Sequence, residues 1–507
     1  ISYLYGMFIR KKLNKSGIIS VQVIAKINGK SKLIKTIGSS RDEKTIERLL
    51  EEGRHYIASY GGQTALDFSD ETRLVQSVFQ QIDSHTEIGT ELLLGKIFND
   101  VGFNVIDDQL FRQLVLSRLT YPVSKLKTSD YLEKYHDLEY PVQQIYRYMD
   151  KLHSTQKELV QQVSYEHTKY VLGGQVTIVF YDVTTLYFEI DKEDSLRKTG
   201  FSKEGKHQNP QIVLGLLVSR NGYPLAYDIF EGNKFEGHTM LPVLDTFKEK
   251  YKLEQLVIIA DSGLLSNANI EELQGKGYEF ILGARIKNER KQIQEQLLAL
   301  NLTNGESAVI EKDGLKLIIT YSESRAKKDR QNREKGLRKL EERIKTGKLT
   351  KSSINNRGYN KYLKMDGEVN VEIDYKKFTA DAVWDGLKGY ISNARLRKDY
   401  IIENYGHLWQ IEKAFRISKT DLKIRPIYHR VQRRIEAHIC ISFVAYKIYK
   451  ELERQLKKLN SKLSPEKAIE IAKTIYQIKA TVSGKSVTQI LLINDEQKKL
   501  AQLFNFG

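Results

Sequence analysis

Five apolar, β-branched runs crowd the stretch from residue 176 to residue 284, and their order constrains the fold more than any other feature of the chain. VTIVFYD (176–182), QIVLGLLV (211–218) and PLAYDIFEG (224–232) follow one another, and Asn221-Gly222 is a tight-turn signal between the last two. Helical spacing over His238 to Tyr251 leads into LVIIAD (256–261), and a second short helix over Asn267 to Gln274 leads into YEFILGA (278–284). Runs this short and this apolar suit strands buried on both faces, so a sheet covered by helices is expected.

Three strands, helix, strand, helix, strand is the element order of a ribonuclease-H-like α/β core, assigned here to residues 166–284 and again to 391–460. Between them, residues 285–390 read as a mixed insertion domain. It has a basic helix (Arg325 to Lys345) and strand-like stretches at Leu315 to Tyr321 and Val369 to Phe378. The first 60 residues read as a small β-meander followed by a helix over Asp42 to Tyr60, with Gly61-Gly62 as a boundary. Residues 61–165 read as helical, with segments at Asp108 to Leu119, Val123 to Tyr135 and Val142 to Leu152. Three short helices fit either a DNA-binding helix-turn-helix or an ordinary packing unit. A C-terminal helical region, 461–507, contains a helix opening at Ser464-Pro465-Glu466, with a capping serine and a proline in the first turn.

Composition removes several function classes. A single cysteine, Cys440, leaves no disulfide framework and no cysteine zinc cluster, and it fits a reducing compartment. The longest apolar run, Ile212 to Val218, is about a third of a membrane span, and the opening ISYLYGMFIRKK lacks a signal-peptide layout. No membrane partner is expected, and the location expected is cytoplasmic.

The net charge of +17 is concentrated. Glu323 to Lys351 holds 12 Lys/Arg against 5 Asp/Glu, and Lys413 to Lys458 holds 13 against 4. Two such segments fit surfaces that face a polyanion, foremost nucleic acid, although solvated helix faces carry charge runs too. Arg325, Lys327, Lys328, Arg330 and Arg333 of the first segment are candidate backbone contacts.

Two strands deliver a carboxylate at or near their ends, Asp182 after VTIVFY and Asp261 after LVIIA. Either aspartate alone is better explained as a turn or cap residue, but the pair is stronger because sequential strands tend to be neighbours. A third acid, Glu412, lies in YGHLWQIEKAFRISKTDLKIRP (405–426), where Tyr405, Glu412 and Lys419 recur every seven residues. That spacing puts them on one helix face, beside an apolar stripe of Leu408, Ile411 and Phe415. Three carboxylates suit hard divalent cations, and a pair of Mg²⁺ ions about 4 Å apart can drive phosphoryl transfer. His207, His238 and His407 lack metal-ligand spacing.

The blocks YDVTTLYFE (181–189), FSKEGKHQNPQIVLGLLVSRNGYPL (201–225), FEGNKFEGHTMLPVL (230–244), ADSGLLSNANI (260–270) and YGHLWQIEKAFRISK (405–419) resemble a bacterial insertion-sequence transposase. The type is the cut-and-paste, hairpin-forming DDE enzyme with a Tyr-x2-Arg-x3-Glu-x6-Lys motif. The resemblance implies a ribonuclease-H-like catalytic domain with a β-rich insertion ahead of the glutamate. It puts Asp182, Asp261 and Glu412 on the catalytic, metal-binding acids, and Tyr405 and Lys419 on DNA-contacting motif positions. It also implies two Mg²⁺ ions (Mn²⁺ able to substitute), double-stranded DNA ends and target as partners, and a homodimer on paired ends in a bacterial, nucleoid-associated setting. The motif arginine is Leu408 here; Arg416, one turn past Glu412, is the expected substitute. Hairpin-forming relatives flip a base onto an aromatic platform; Trp384 is the expected platform and Trp409 a packing residue. The alternatives are a decayed or domesticated transposase that binds DNA without cutting, and a ribonuclease-H-fold nuclease or resolvase, which would not need the insertion.

Overall fold

The computed structural model describes residues 7–27, 29–60, 79–190, 192–264, 266–347, 349, 353–355, 358–366, 370–482 and 485–506. They form two compact units, residues 1–83 with 479–487, and residues 84–478 with 488–507.

In the first unit, β1 (Met7–Leu13), β2 (Ile19–Ile27) and β3 (Lys30–Ser40) form an antiparallel meander. Helix α1 (Glu43–Ser59) starts where the Asp42 carboxylate accepts from the Thr45 amide at 2.9 Å. Val21, Ile46 and Leu49 form the small core between them. Gly61-Gly62, the expected boundary, lies outside the described residues.

The strand β4 (Ile82–Glu87) is followed by α2 (Lys96–Val101), α3 (Gln109–Thr120), α4 (Lys125–His136), α5 (Val142–Thr155) and α6 (Lys157–Val171). Then come β5 (Ile178–Tyr187), β6 (Gln211–Ser219), β7 (Pro224–Glu231), α7 (Met240–Tyr251), β8 (Val257–Ala260), α8 (Asn267–Gly275) and β9 (Glu279–Ala284). Strands β5, β6 and β7 are antiparallel neighbours, and β8 and β9 run parallel to β5 on its other side. The spatial order β7-β6-β5-β8-β9 is the ribonuclease-H-like arrangement that the element order predicts.

The region after β9 contains α9 (Lys291–Ala299), β10 (Ser307–Lys312), β11 (Leu315–Tyr321), α10 (Glu323–Lys345), β12 (Leu363–Asp366), β13 (Asn370–Ile373), α11 (Tyr375–Ala380) and β14 (Leu387–Ser392). Part of it extends the sheet, while β12 and β13 pair separately over a small core of Leu340, Tyr362, Leu363 and Ile373. β14 pairs with β9, β11 with β14 and β10 with β11, all antiparallel, so the sheet grows to eight strands. The unpaired edge of β9 is thereby covered. The strand-like stretch at 369–378 divides, with β13 ending at Ile373 and α11 beginning at Tyr375 after Asp374 caps the Lys377 amide.

Helices α12 (Lys398–Gly406), α13 (Trp409–Thr420), α14 (Gln432–Lys458) and α15 (Pro465–Ala472) are followed by β15 (Tyr476–Val482), β16 (Lys485–Leu491) and α16 (Asp495–Phe504), so the region 461–507, expected to be helical, also contains a strand pair that joins β4 in a three-stranded sheet. One apolar cluster joins Phe98, Phe111, Leu114, Ile145 and Met149 to Ile439 and Val444 of α14 and to Ile212 and Leu214 of the sheet. The helices between 84 and 171 therefore have no separate core; they cover α14, which is buried on all sides from Ala437 to Glu453. The opposite sheet face is covered by α7 and α8 through Met240, Leu244, Phe247 and Leu273. Among the described residues no helix is long and apolar enough to cross a membrane.

Candidate functional site

Register sets the first half of the site. The parallel pairing of β5 with β8 ends at Tyr181 opposite Ala260, so the next residues, Asp182 and Asp261, come side by side on neighbouring strands. Strands lie about 4.8 Å apart. Phe180 and Ile259, two residues earlier on each strand, belong to the cluster under α14, so strict alternation points both carboxylates to that face. Helix α13 docks on the same face through Ile411, Ala414 and Phe415, each large apolar side chain contributing about 1.5–3 kcal/mol on burial.

Asp182 is half-buried. Lys203 Nζ stands 3.5 Å from Asp182 Oδ1 and 3.2 Å from Glu236 Oε1, and donates to the Val183 carbonyl at 2.7 Å. Burial pushes the Asp182 carboxyl up to about 6; Lys203 opposes that, and Glu236 and Asp261 add to it. Asp261 is exposed, and its Oδ1 accepts from the Ser262 amide at 2.7 Å and from the Tyr405 hydroxyl at 3.3 Å.

The expectation that Tyr405, Glu412 and Lys419 share one continuous helix face does not hold. The chain breaks between α12 and α13, where His407 N bonds Asn404 O at 3.0 Å and Leu408 N bonds Tyr405 O at 3.0 Å. Such i→i−3 bonds tighten and turn the backbone, next to a glycine of low helix propensity, Gly406. Tyr405 ends up buried at the end of α12. Its ring lies 4.7 Å from that of Tyr390 and 4.6 Å from Lys388 Nζ. Gly283 makes room for it, since a Cβ there would fall 2.5 Å from the Tyr405 hydroxyl. Tyr405 thus faces Asp261, and its hydroxyl proton is given to that carboxylate rather than free for a phosphate.

Glu412 sits in the first turn of α13, exposed, where the helix dipole favours a carboxylate. Among the described residues it makes no hydrogen bond or ion pair, though its charge and that of Asp261 both act on Lys388. Among the described residues, no three Asp, Glu, His or Cys side chains come close enough to hold one ion together. The three-carboxylate convergence expected from the sequence is therefore present only as the Asp182–Asp261 pair, with Glu412 reaching from the facing helix. The donors are all oxygen, and a side-chain cation already stands between Asp182 and Glu236, which fits a hard divalent ion.

Other sequence expectations divide. Lys419 is tied to Glu204 at 2.7 Å, and Arg425 holds the second oxygen of that carboxylate at 2.8 Å, so Lys419 is not a free phosphate contact. Arg416 is exposed, as a DNA contact requires. On α10, Lys327, Lys328 and Arg330 are exposed, and Arg325 pairs with Asp329 at 3.5 Å. Arg333 is instead structural: it pairs with Asp385 and lies over the Phe378 ring at 5.0 Å. Trp384 is 9% exposed in a core with Ile286, Leu297 and Leu317, so the expected platform has no free ring face. Trp409, expected to be a packing residue, is 49% exposed. His207 accepts from the Ser202 amide at 3.2 Å and His238 packs on Phe235, both local roles.

Sequence reading missed Lys203, Glu236 and Lys388. The first two lie in loop blocks without periodicity. Lys388 alternates with Tyr390 on β14, a strand that the reading did not assign.

The family profile described as Transposase DDE domain matches residues 174–448. No curated protein matches the sequence. Among solved structures, a piggyBac transposase synaptic complex with hairpin DNA is similar at 8% identity and a TM-score of 0.39, over 78% of this chain and 80% of that one. A Mos1 transposase paired-end complex with the left transposon end is similar at 13% identity and a TM-score of 0.16, over 45% and 71%. At such scores these likenesses fix nothing about fold or ligand. The family profile spans more than half of the chain and includes all three acids, and on that match the chain belongs to the Transposase DDE domain family.

Proposed function

We propose that this chain is a DNA transposase of the bacterial insertion-sequence, cut-and-paste type. It binds the ends of its element, cleaves them by metal-assisted phosphoryl transfer through a hairpin, and joins them to target DNA. The observation that carries this reading is the pairing of Asp182 with Asp261 on adjacent strands, facing the helix that bears Glu412. Asp182 and Asp261 would hold a divalent ion, Mg²⁺ or Mn²⁺, with Glu412 as the third acid. Such an ion supplies Lewis-acid stabilisation at the phosphorus and a more acidic attacking hydroxyl. Tyr405 orients Asp261, and Lys388 adds positive charge where a phosphate would approach. The exposed cations of α10 and Arg416 hold the DNA backbone. A homodimer on paired ends, in the cytoplasm at the nucleoid, completes the proposal.

The test is incubation with the element's end DNA and Mg²⁺, read on a denaturing gel for nicks and for covalently closed hairpin ends. Ca²⁺ is the comparison ion. Cleavage lost in Asp182→Asn and Glu412→Gln with end binding retained supports the reading. Binding without any cleavage by the unaltered chain would replace it with the DNA-binding alternative.

A further inference from the structure

A cationic site lies where α3, α4 and the segment after α13 meet, in a cavity of about 380 Å³ that shares no lining residue with the carboxylate site. Two of the cations lining it are almost wholly buried, Arg118 at 5% exposure and Lys125 at 4%. Neither has a carboxylate partner among the described residues. Arg118 reaches only the Leu422 carbonyl and His438 Nδ1, both at 3.4 Å, and its Nε has no partner. Among the described residues Lys125 Nζ has none either. His438 places its other ring nitrogen 3.0 Å from the Ile424 carbonyl. With Nε2 as the protonated nitrogen, Nδ1 is an acceptor for Arg118 and the ring adds no charge.

A buried charge without a partner costs several kcal/mol. Here two basic side chains share the cavity, close enough that Arg118 depresses Lys125 further below its ordinary range, after burial itself. Two long contacts from Arg118 are the hydrogen bonds seen on the pair among the described residues. The cavity continues to solvent past the exposed Lys127 and Lys423, and Arg425 lines it as well. The acid seen on these lining cations is Glu204, which Arg425 shares with Lys419. The N-terminus of α4, capped by Ser124, opens on the same cavity.

We propose that this cavity is a binding site for a phosphate ester, separate from the carboxylate site and independent of its reading. Arg118 and Lys125 form the floor, and Lys127 and Lys423 guide the anion in. The shared chemistry fits either a phosphate of a DNA strand or that of a free nucleotide.

Binding of inorganic phosphate is measured by calorimetry and by thermal melting in EDTA, against chloride at equal ionic strength. EDTA keeps the carboxylate site out of the measurement. The unaltered chain should bind phosphate saturably and melt higher with it. Lys125→Met should bind phosphate at least tenfold more weakly, yet melt no lower than the unaltered chain when phosphate is absent. A structural lysine would instead lower the melting temperature in both conditions. No phosphate-specific rise in the unaltered chain, or an equal rise in Lys125→Met, overturns the proposal. Should Lys125→Met fail to fold, the exposed Lys423→Ala serves: about threefold weaker phosphate binding supports the site, and unchanged affinity overturns it. A short DNA duplex and a deoxynucleoside monophosphate separate the sources. A duplex salt slope about one unit shallower in Lys125→Met assigns the site to a DNA strand. A mononucleotide bound tenfold tighter than phosphate, with duplex affinity unchanged, assigns it to a free nucleotide.

Discussion

Tyr405 donates its hydroxyl to Asp261 across 3.3 Å, from the end of α12 to the end of β8. The ring is fixed independently by Tyr390, so the hydroxyl can be removed without moving the helix. Tyr405→Phe should therefore slow strand cleavage by roughly 10- to 100-fold, the worth of a hydrogen bond to a charged group, with little change in melting temperature. Cleavage rate and thermal melting, measured on one preparation, check this. A large fall in melting temperature would make Tyr405 a packing residue.

Asp182 and Glu412 should separate stability from activity in opposite settings. Asp182 is held near two other acids with Lys203 as its ion partner, so Asp182→Asn removes repulsion and should melt at or above the unaltered chain. Glu412 has no ion pair among the described residues, so Glu412→Gln should melt within about 1 °C of it, a surface-sized effect. Both should abolish nicking. Retained nicking in either variant removes that acid from the reaction.

Along α10 the cations divide by exposure. Replacing Lys327, Lys328, Lys335 and Lys339, all exposed, by Gln should weaken DNA binding and flatten its salt dependence by about one unit per lost phosphate contact. Arg333→Ala should instead lower the melting temperature, because it strands Asp385 and uncovers Phe378. An unchanged salt slope in the four-lysine variant would make the outer face of α10 merely solvated.

The two tryptophans should behave oppositely to their sequence-based roles. Trp384→Ala empties a core position and should destabilise by about 3–5 kcal/mol. Trp409→Ala removes a half-exposed ring and should leave denaturant midpoints nearly unchanged. Equal midpoint shifts in the two variants would contradict the observed burial.

Acid should loosen α13 before the sheet. Burial disfavours the Glu453 charge, but hydrogen bonds from Lys413 on α13 and from Lys450 outweigh it and hold the carboxyl at about 2, below the ordinary 4.5. A depressed carboxyl stabilises the fold fully above about pH 4.5, and the contribution fades as pH falls toward 2. Glu453→Gln should flatten the dependence of melting temperature on pH between these values. An unaltered slope would mean the pair contributes nothing.

Much of this was legible in the sequence, for identifiable reasons. Apolar runs located β5 to β9, because strands buried on both faces have a composition that periodicity cannot mask. Asp182 and Asp261 stood out because each ends such a run. The seven-residue spacing singles out Glu412 but assumes one continuous helix; in YGHLWQIEK the lone signal of the turn at Gly406 to Leu408 is the glycine itself, which many helices tolerate. Trp384 was misplaced because it lies just ahead of a polar Asp385-Gly386 pair, which suggests a ring at the surface, whereas the ring packs in a core with Leu317 and Leu297. Nor did the run of basic residues on α10 show that Arg333 is occupied by Asp385, a partner 52 residues away.

Pairing β14 with β9 returns the chain to the sheet after an excursion of about 100 residues, and only then do α12 and α13 follow. Closing so long a loop is entropically slow compared with forming the β5–β6–β7 meander. During synthesis Asp182 and Asp261 both emerge before Glu412 does. A nascent chain that has not yet paired Leu282 with Ile391 has two of the three acids of the proposed cutting site. The excursion thus acts as a delay, and on the proposed function a nearly finished protein is the first species able to cut DNA.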